Sequence, residues 1–352
     1  MTARPRSRPP AVTLGEGNTP LVASVAVAPA NGASRLFFKL ETCNPSGSYK
    51  DRFISAEIAR ILGEGAGTCV ATSSGNTGSA LAAYCARYGL RCFVFVNENA
   101  PTGKLAQMQA HGATVIRIPG FITDFRVTSN VFGTLTNFSR EHRVPLIVSA
   151  FRYCPEGMRS VQRIAAEILA RETPDHVFVP VGGGGLYSAI VQGFQESGQR
   201  VPKVHAVQPE GCLTTVASFL RGTNEIRSVN STTRISGLSV PSDIDAGRAL
   251  LKLRECEGQG IPVSDEEVFS AQRMLLEKEG ICGEPAGATA LAGWLSARRS
   301  GIVGDDEASV CLVTGHGFKD PASIEDAARR HPSATVESDD LDDVLSEVLS
   351  GC

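Results

Sequence analysis

Short apolar runs alternate with amphipathic stretches along this chain, and their spacing predicts strands and helices in turn. Leu36 to Leu40, Thr68 to Ser73, Arg91 to Val96 and Thr114 to Ile118 read as strands, as do His176 to Val181, Val204 to Gln208 and Ser309 to Thr314. Helical periodicity runs through Ser48 to Gly63, Asn76 to Tyr88 and Gly103 to His111. It returns in Ser160 to Arg171, Leu186 to Gln195, Ser264 to Glu279 and Gly287 to Arg299. Strand–helix–strand alternation at this spacing predicts an α/β fold with parallel sheets covered by helices. A Pro, Gly and aromatic cluster between Ser149 and Gly157 breaks the periodicity and predicts a domain switch there.

Composition narrows the class. A chain of 352 residues holds about two domains at roughly 100–200 residues each. With 42% hydrophobic and 20% charged residues it is not a disordered chain. The 34 basic and 37 acidic side chains give a net charge of −3, which leaves no electrostatic footprint for nucleic acid. No apolar run approaches the ~18 residues that would suggest a membrane span. The start, Met1 to Pro10, is basic but lacks an apolar stretch behind it, so it reads as a disordered tail. The acidic stretch around Glu337 to Asp343 reads as a solvated tail over 331–352 with a short final helix. The 10 cysteines form no C-x-x-C pair and no zinc spacing with histidine. They read as reduced core residues of a cytoplasmic protein, with no metal site. The 36 glycines follow no G-X-Y period, so their use lies in turns and close-approach loops.

Four predicted strand ends carry unusual residues, and in open α/β sheets ligands gather at such ends. Asn44-Pro45-Ser46-Gly47-Ser48-Tyr49-Lys50-Asp51-Arg52 places Lys50 in the first turn of a helix. The helix dipole disfavours a cation there, which suits an amine that must attack a carbonyl; the alternative is a solvated surface lysine. Thr72 to Gly78 brings hydroxyls and free N–H groups to a helix N-terminus, either as a carboxylate site or as ordinary capping by Ser74 or Asn76. Gly182 to Gly185 is a run of four glycines between strand and helix. Such a run fits close backbone approach to a phosphate. Its register matches neither G-x-G-x-x-G nor a Walker loop. Thr314 ends an apolar strand before Gly315-His316-Gly317 and points a hydroxyl toward a cleft. A lysine, a hydroxyl loop, a glycine phosphate loop and a strand-end hydroxyl together suggest pyridoxal phosphate, which needs an amine, a phosphate cradle and a partner for its ring nitrogen.

On these stretches the chain resembles the fold-type II pyridoxal-phosphate enzymes, and within them the threonine synthases. Leu14 to Leu21, Asn44 to Arg52, Ser74 to Gly78, Gly103 to Gln107 and Thr314 to Pro321 carry the resemblance, which spans almost the whole chain. It implies two doubly wound parallel-sheet domains, a smaller one over 52–150 and a larger, cofactor-binding one over 11–51 plus 151–330. It also implies a homodimer and a small amino-acid substrate, with no membrane or nucleic-acid partner. Lys50 would carry the cofactor as a Schiff base and act as the acid–base group. Asn76 would meet the cofactor's ring oxygen, Gly182, Gly183, Gly184 and Gly185 its phosphate, and Thr314 its ring nitrogen. Ser73, Ser74 and Thr77 would hold the substrate carboxylate.

The chain departs from that family where substrate phosphate should bind. Ser149 and Glu156-Gly157 are retained, but Val148 stands at an Asn position, Cys154 at an Arg position and Arg159 at a Lys position. Ser149, Arg152 and Arg159 are then the expected substrate-binding residues of that segment. The glycine run and Glu284 to Ala288 resemble serine and threonine dehydratases instead. Two activities therefore stand open. One is conversion of O-phosphohomoserine to threonine, favoured by the Thr314 to Pro321 segment. The other is β-elimination or β-replacement on serine, threonine or O-phosphoserine (dehydratase-like or cysteate synthase-like), favoured by the absence of Arg at 154. Retention of Lys50 argues against a non-catalytic binding protein, and the glycine register argues against a dehydrogenase.

Overall fold

Ten strands run through the residues described by the computed structural model, which are 12–28, 35–100, 102–122 and 124–350. They are β1 (Leu21–Ala23), β2 (Arg35–Leu40), β3 (Thr68–Ala71), β4 (Arg91–Asn97), β5 (Thr114–Ile118), β6 (Leu146–Ile147), β7 (His176–Pro180), β8 (Lys203–Pro209), β9 (Gly260–Val263) and β10 (Ala308–Val313). One sheet has the order β1-β2-β10-β7-β8-β9 and the other β5-β4-β3-β6. Every pairing is parallel except β1 against β2. All positions of β7 and β10 are buried, as expected of central strands covered on both faces. The chain is thus α/β with parallel sheets. The strands of the smaller sheet all fall between Thr68 and Ile147.

The helices are α1 (Lys50–Gly63), α2 (Asn76–Tyr88), α3 (Thr102–Ala110), α4 (Phe125–His142), α5 (Pro155–Val161), α6 (Arg163–Leu169) and α7 (Gly185–Glu196). After them come α8 (Thr215–Leu220), α9 (Ala246–Glu255), α10 (Asp265–Glu279), α11 (Pro285–Arg299), α12 (Pro321–Ala328) and α13 (Leu341–Ser350). Local chemistry fixes their ends. Gly89 stops α2 at φ +68° and Gly280 stops α10 at φ +65°, where a side chain would be strained. Ser264 and Glu267 close a reciprocal capping box at the start of α10. Proline opens α5, α11 and α12, where its missing N–H has no helical partner to lose.

Two readings change. The helix expected over Ser160 to Arg171 is a pair, α5 and α6, meeting at Gln162, and it starts earlier, at Pro155. The 18-residue α4 had no counterpart in the periodicity. The final helix exists as α13, with Leu341 and Leu345 exposed; the tail read over residues 1–10 lies outside the described residues. No described helix is long and apolar enough to cross a membrane.

The described cysteines are free, and most are buried. Cys69, Cys85 and Cys92 gather where β3, α2 and β4 meet, with 3.4 Å between the first two sulfurs. At 0%, 1% and 6% exposure the three pack as core.

Beneath the start of α1 lies a buried ion network. Arg52 donates to Glu41 at 2.7 and 2.8 Å and to Glu167 at 2.6 and 2.7 Å. Lys39 donates to Glu167 at 2.6 Å and to the Thr19 carbonyl at 2.7 Å. Burial pushes the Glu167 carboxyl up, but bonds and charge from Arg52 and Lys39 outweigh it and hold its pKa down to about 2. The network ties the first strand-to-helix segment, β2 and α6 to the helix that begins at Lys50.

Candidate active site

The carboxyl ends of β2, β3, β7 and β10 deliver four loops to one cavity of about 390 Å3, within the size of small-molecule sites. Its lining includes Lys50, Ser73, Ser74, Asn76, Thr77, Ser149, Gly182 to Gly185 and Thr314. Of the residues singled out in the sequence, these come together. Arg152 and Arg159 do not: both are exposed and neither lines the cavity. The structure therefore does not bring these two expected substrate-binding residues together with the rest. Cys154, at the expected Arg position, is buried with its sulfur toward the Leu146 carbonyl. It faces a second cavity of about 900 Å3 at the far end of α1, lined by Glu57, Arg60, Arg143 and Glu156. That larger cavity holds none of the amine, hydroxyl and glycine groups above.

Lys50 is the first residue of α1. Its Nζ lies 2.5 Å from Ser149 Oγ and 4.6 Å from the centre of the Tyr49 ring. Lys50 is half-buried at the cavity wall, and desolvation there pushes the amine down to about 7, against the opposing pull of Asp245 and Glu284. Near neutrality a large share of the amine is unprotonated and nucleophilic.

The glycine run forms the N-terminus of α7. Gly184 is its cap at φ +93°, and a Cβ there would lie 2.6 Å from the Asp245 carbonyl oxygen. A Cβ on Gly185 would lie 2.9 Å from Asp245 Oδ2, and one on Gly182 3.2 Å from the Gly237 carbonyl. The glycines therefore let the loop press against residues 237–245, rather than clearing the cavity itself. Among the described residues, no protein acceptor meets the N–H groups of 182–187. An arc of unpaired donors at a helix N-terminus fits a phosphate.

Asn76 donates to Glu284 Oε1 at 2.6 Å, while its own Oδ1 is buried without a partner. Thr314 is buried at the end of β10, and its carbonyl accepts from the Tyr49 N–H at 3.1 Å. Lysine, donor arc and strand-end hydroxyl thus fit pyridoxal phosphate, and the Asn76 amide keeps one N–H beyond its bond to Glu284 for a ring oxygen.

Three groups were missed as site residues. Lys104 and Glu284 line the cavity but were read only within longer motifs, and Ser236 to Ser242 was not singled out at all. Asp245 accepts from the N–H groups of Phe151 and Arg152 at 2.6 and 3.2 Å and holds the loop that carries Ser149. Burial raises its pKa.

Fold and site define a cofactor-dependent enzyme of the α/β class, and the comparisons agree. Residues 12–315 match the model of the pyridoxal-phosphate dependent enzymes, and the chain belongs to that family. More particularly, it is 34% identical over 345 residues to a threonine synthase of Methanocaldococcus jannaschii, covering 96% of this chain and 83% of that protein. A threonine synthase of Synechocystis sp. is 34% identical, with 89% of this chain and 79% of that protein covered. Among solved structures, a threonine deaminase from T.th. superposes with a TM-score of 0.71 at 25% identity, covering 85% of this chain and 92% of that one. Diaminopropionate ammonia lyase from Escherichia coli gives 0.76 at 19% identity over 91% and 90%; it speaks to the fold alone.

Proposed function

We propose that this chain is a carbon–oxygen lyase of the threonine synthase kind, converting O-phosphohomoserine and water to threonine and phosphate. The observation that carries the chemistry is Lys50, a half-buried amine near neutrality beside a hydroxyl and within one cavity with the unpaired N–H arc. The likeness to threonine synthases over most of the chain carries the substrate.

When bound, pyridoxal phosphate supplies an electron sink that stabilises negative charge at the substrate Cα. Residues 182–187 would hold its phosphate through their N–H groups, and the Asn76 amide N–H would meet its ring oxygen. Thr314 would offer the ring nitrogen a neutral hydroxyl, which would leave that nitrogen less protonated than a carboxylate would and so moderate the sink. Ser73, Ser74 and Thr77 hold the substrate carboxylate at the start of α2. Lys50 Nζ takes the Cα proton and returns protons to the carbon chain, and Ser149 Oγ fixes the direction of that amine. The same reading assigns a small domain over 52–150, a larger one over 11–51 plus 151–330, a homodimer and a cytoplasmic location.

A second reading is β-elimination or β-replacement on serine, threonine or O-phosphoserine. It draws on one observation: no guanidinium of the 148–159 segment reaches the cavity. The test offers O-phosphohomoserine, O-phosphoserine, threonine and serine to the holoenzyme and measures phosphate, oxo-acid and threonine. Threonine and phosphate in equal amounts from O-phosphohomoserine are expected. Phosphate from O-phosphoserine alone would move the assignment to the second reading.

A further inference from the structure

We propose that Lys104 selects substrates with an anionic leaving group, as the single point charge that meets the departing phosphate. This rests on the reading of the site as a carbon–oxygen lyase.

Among the described residues, only Lys50 and Lys104 bring cationic side chains to the cavity lining. Lys50 is committed to the cofactor and to proton transfer. The N–H arc of 182–187 is committed to the cofactor phosphate. A second phosphate entering the cavity still needs a positive partner, because an anion taken out of water without one is costly. Lys104 is left.

Its surroundings suit the task. Lys104 is the third residue of α3 and 5% exposed. Its Nζ donates to Ser236 Oγ at 2.9 Å. Glu284 Oε2 is its buried ion-pair partner at 3.5 Å. An ammonium has three donors, so with Ser236 and Glu284 served one remains for an incoming oxyanion. Hydroxyls of Thr128, Ser236, Ser239 and Ser242 also line the cavity, whereas Ile122, Phe132, Ile147 and Val148 give an apolar stretch that would not solvate phosphate. Lys104 also reaches from α3, beside the smaller sheet, to Ser236 in the segment packed on the glycine loop. Anion binding there would draw the two walls together.

A lysine recognises charge, while an arginine fork recognises shape. Selection here is therefore by charge: phosphorylated substrates over neutral ones, with little discrimination among compact anions.

The test compares the holoenzyme with Lys104→Gln and Lys104→Arg. Expected for Lys104→Gln is a loss of about 100-fold in kcat/KM on O-phosphorylated amino acids, in line with losing one partner of a buried charge pair. The affinity of threonine, read from the change it causes in the cofactor's visible spectrum, should stay within about threefold, and Lys104→Arg should restore part of the loss. Inorganic phosphate, titrated calorimetrically into the holoenzyme, should bind at least tenfold more weakly to Lys104→Gln. The cofactor's visible spectrum should be the same in all three. Equal losses in kcat/KM on phosphorylated substrates and in threonine affinity, or unchanged phosphate binding in Lys104→Gln, would overturn the role of Lys104. A wild type that turns over no O-phosphorylated amino acid would instead overturn the lyase reading beneath it.

Discussion

The two halves of the cavity are built differently. The cofactor half is over-determined: Lys50 begins a helix braced by the Arg52–Glu41–Glu167–Lys39 network, and the glycine loop is pressed against residues 237–245. The leaving-group half is sparse. Its expected arginines are exposed, Cys154 faces another cavity, and a single lysine supplies its charge. Parts that hold a shared cofactor are fixed by many neighbours at once. Parts that read the substrate hang on one or two side chains.

The strongest way to break that contrast is Lys50→Ala. Loss of both the attaching amine and the proton carrier should lower turnover at least about 1,000-fold, or roughly 4 kcal/mol in barrier. Steady-state kinetics with every candidate substrate checks this, and a loss below tenfold would place the chemistry elsewhere.

Next in size is Glu167→Ala. It leaves Lys39 and Arg52 as poorly compensated buried charges, so unfolding free energy should fall by about 3–5 kcal/mol. Denaturant melts measure it. The wild type gives the matching pH signature. Because the folded pKa of Glu167 is depressed to about 2, its contribution is complete above the ordinary carboxylate pKa and is lost as pH falls from there through about 2. The variant should lack that part of the acid loss. An equally acid-sensitive variant would show that the brace carries no weight.

A smaller effect is expected of Gly184→Ala. Forcing a side chain to φ +93° costs about 1–3 kcal/mol, and the new Cβ meets the Asp245 carbonyl. Cofactor affinity should fall about tenfold or more in a fluorescence titration, while O-phosphohomoserine turnover at saturating cofactor recovers. Unchanged affinity would mean that the loop does not cradle phosphate.

Smallest of all, Arg152→Ala and Arg159→Ala should each leave kcat/KM on O-phosphorylated substrates within about twofold, because neither side chain reaches the cavity. A tenfold loss in either would return it to the site and erase the contrast.

The sequence made this contrast only half visible, for physical reasons. Strand-end loops with Lys50, Asn76, four glycines and Thr314 are local in sequence, so their chemistry could be read in one stretch each. α2 runs from Asn76 to Tyr88 as its alanine periodicity predicts, because Gly89 ends it sharply. In contrast, α4 is rich in Thr, Val and Asn with Gly133 in its middle, residues of weak helix propensity that tertiary context overrides. α9 went unread although Asp245 stands at its N-cap; in the fold the Asp245 carboxylate turns away from the helix to bond the Phe151 and Arg152 N–H groups. The same diversion hid Asp245 as a brace. Lys104, Ser236 and Glu284 lie 132 and 48 positions apart in sequence, and only the fold brings them to one wall. Conversely, Arg152 and Arg159 looked correct by proximity to Ser149, yet the direction of α5 turns Arg159 outward.

The central claim is that Lys50 is the amine that holds pyridoxal phosphate in the cavity. Borohydride reduction of the holoenzyme, proteolysis and peptide mass spectrometry test it most directly. The account predicts a pyridoxyl-phosphate mass addition on the peptide containing Lys50 and none in Lys50→Ala. An addition on Lys104 or another lysine in the wild type, or one that persists in Lys50→Ala, would contradict it.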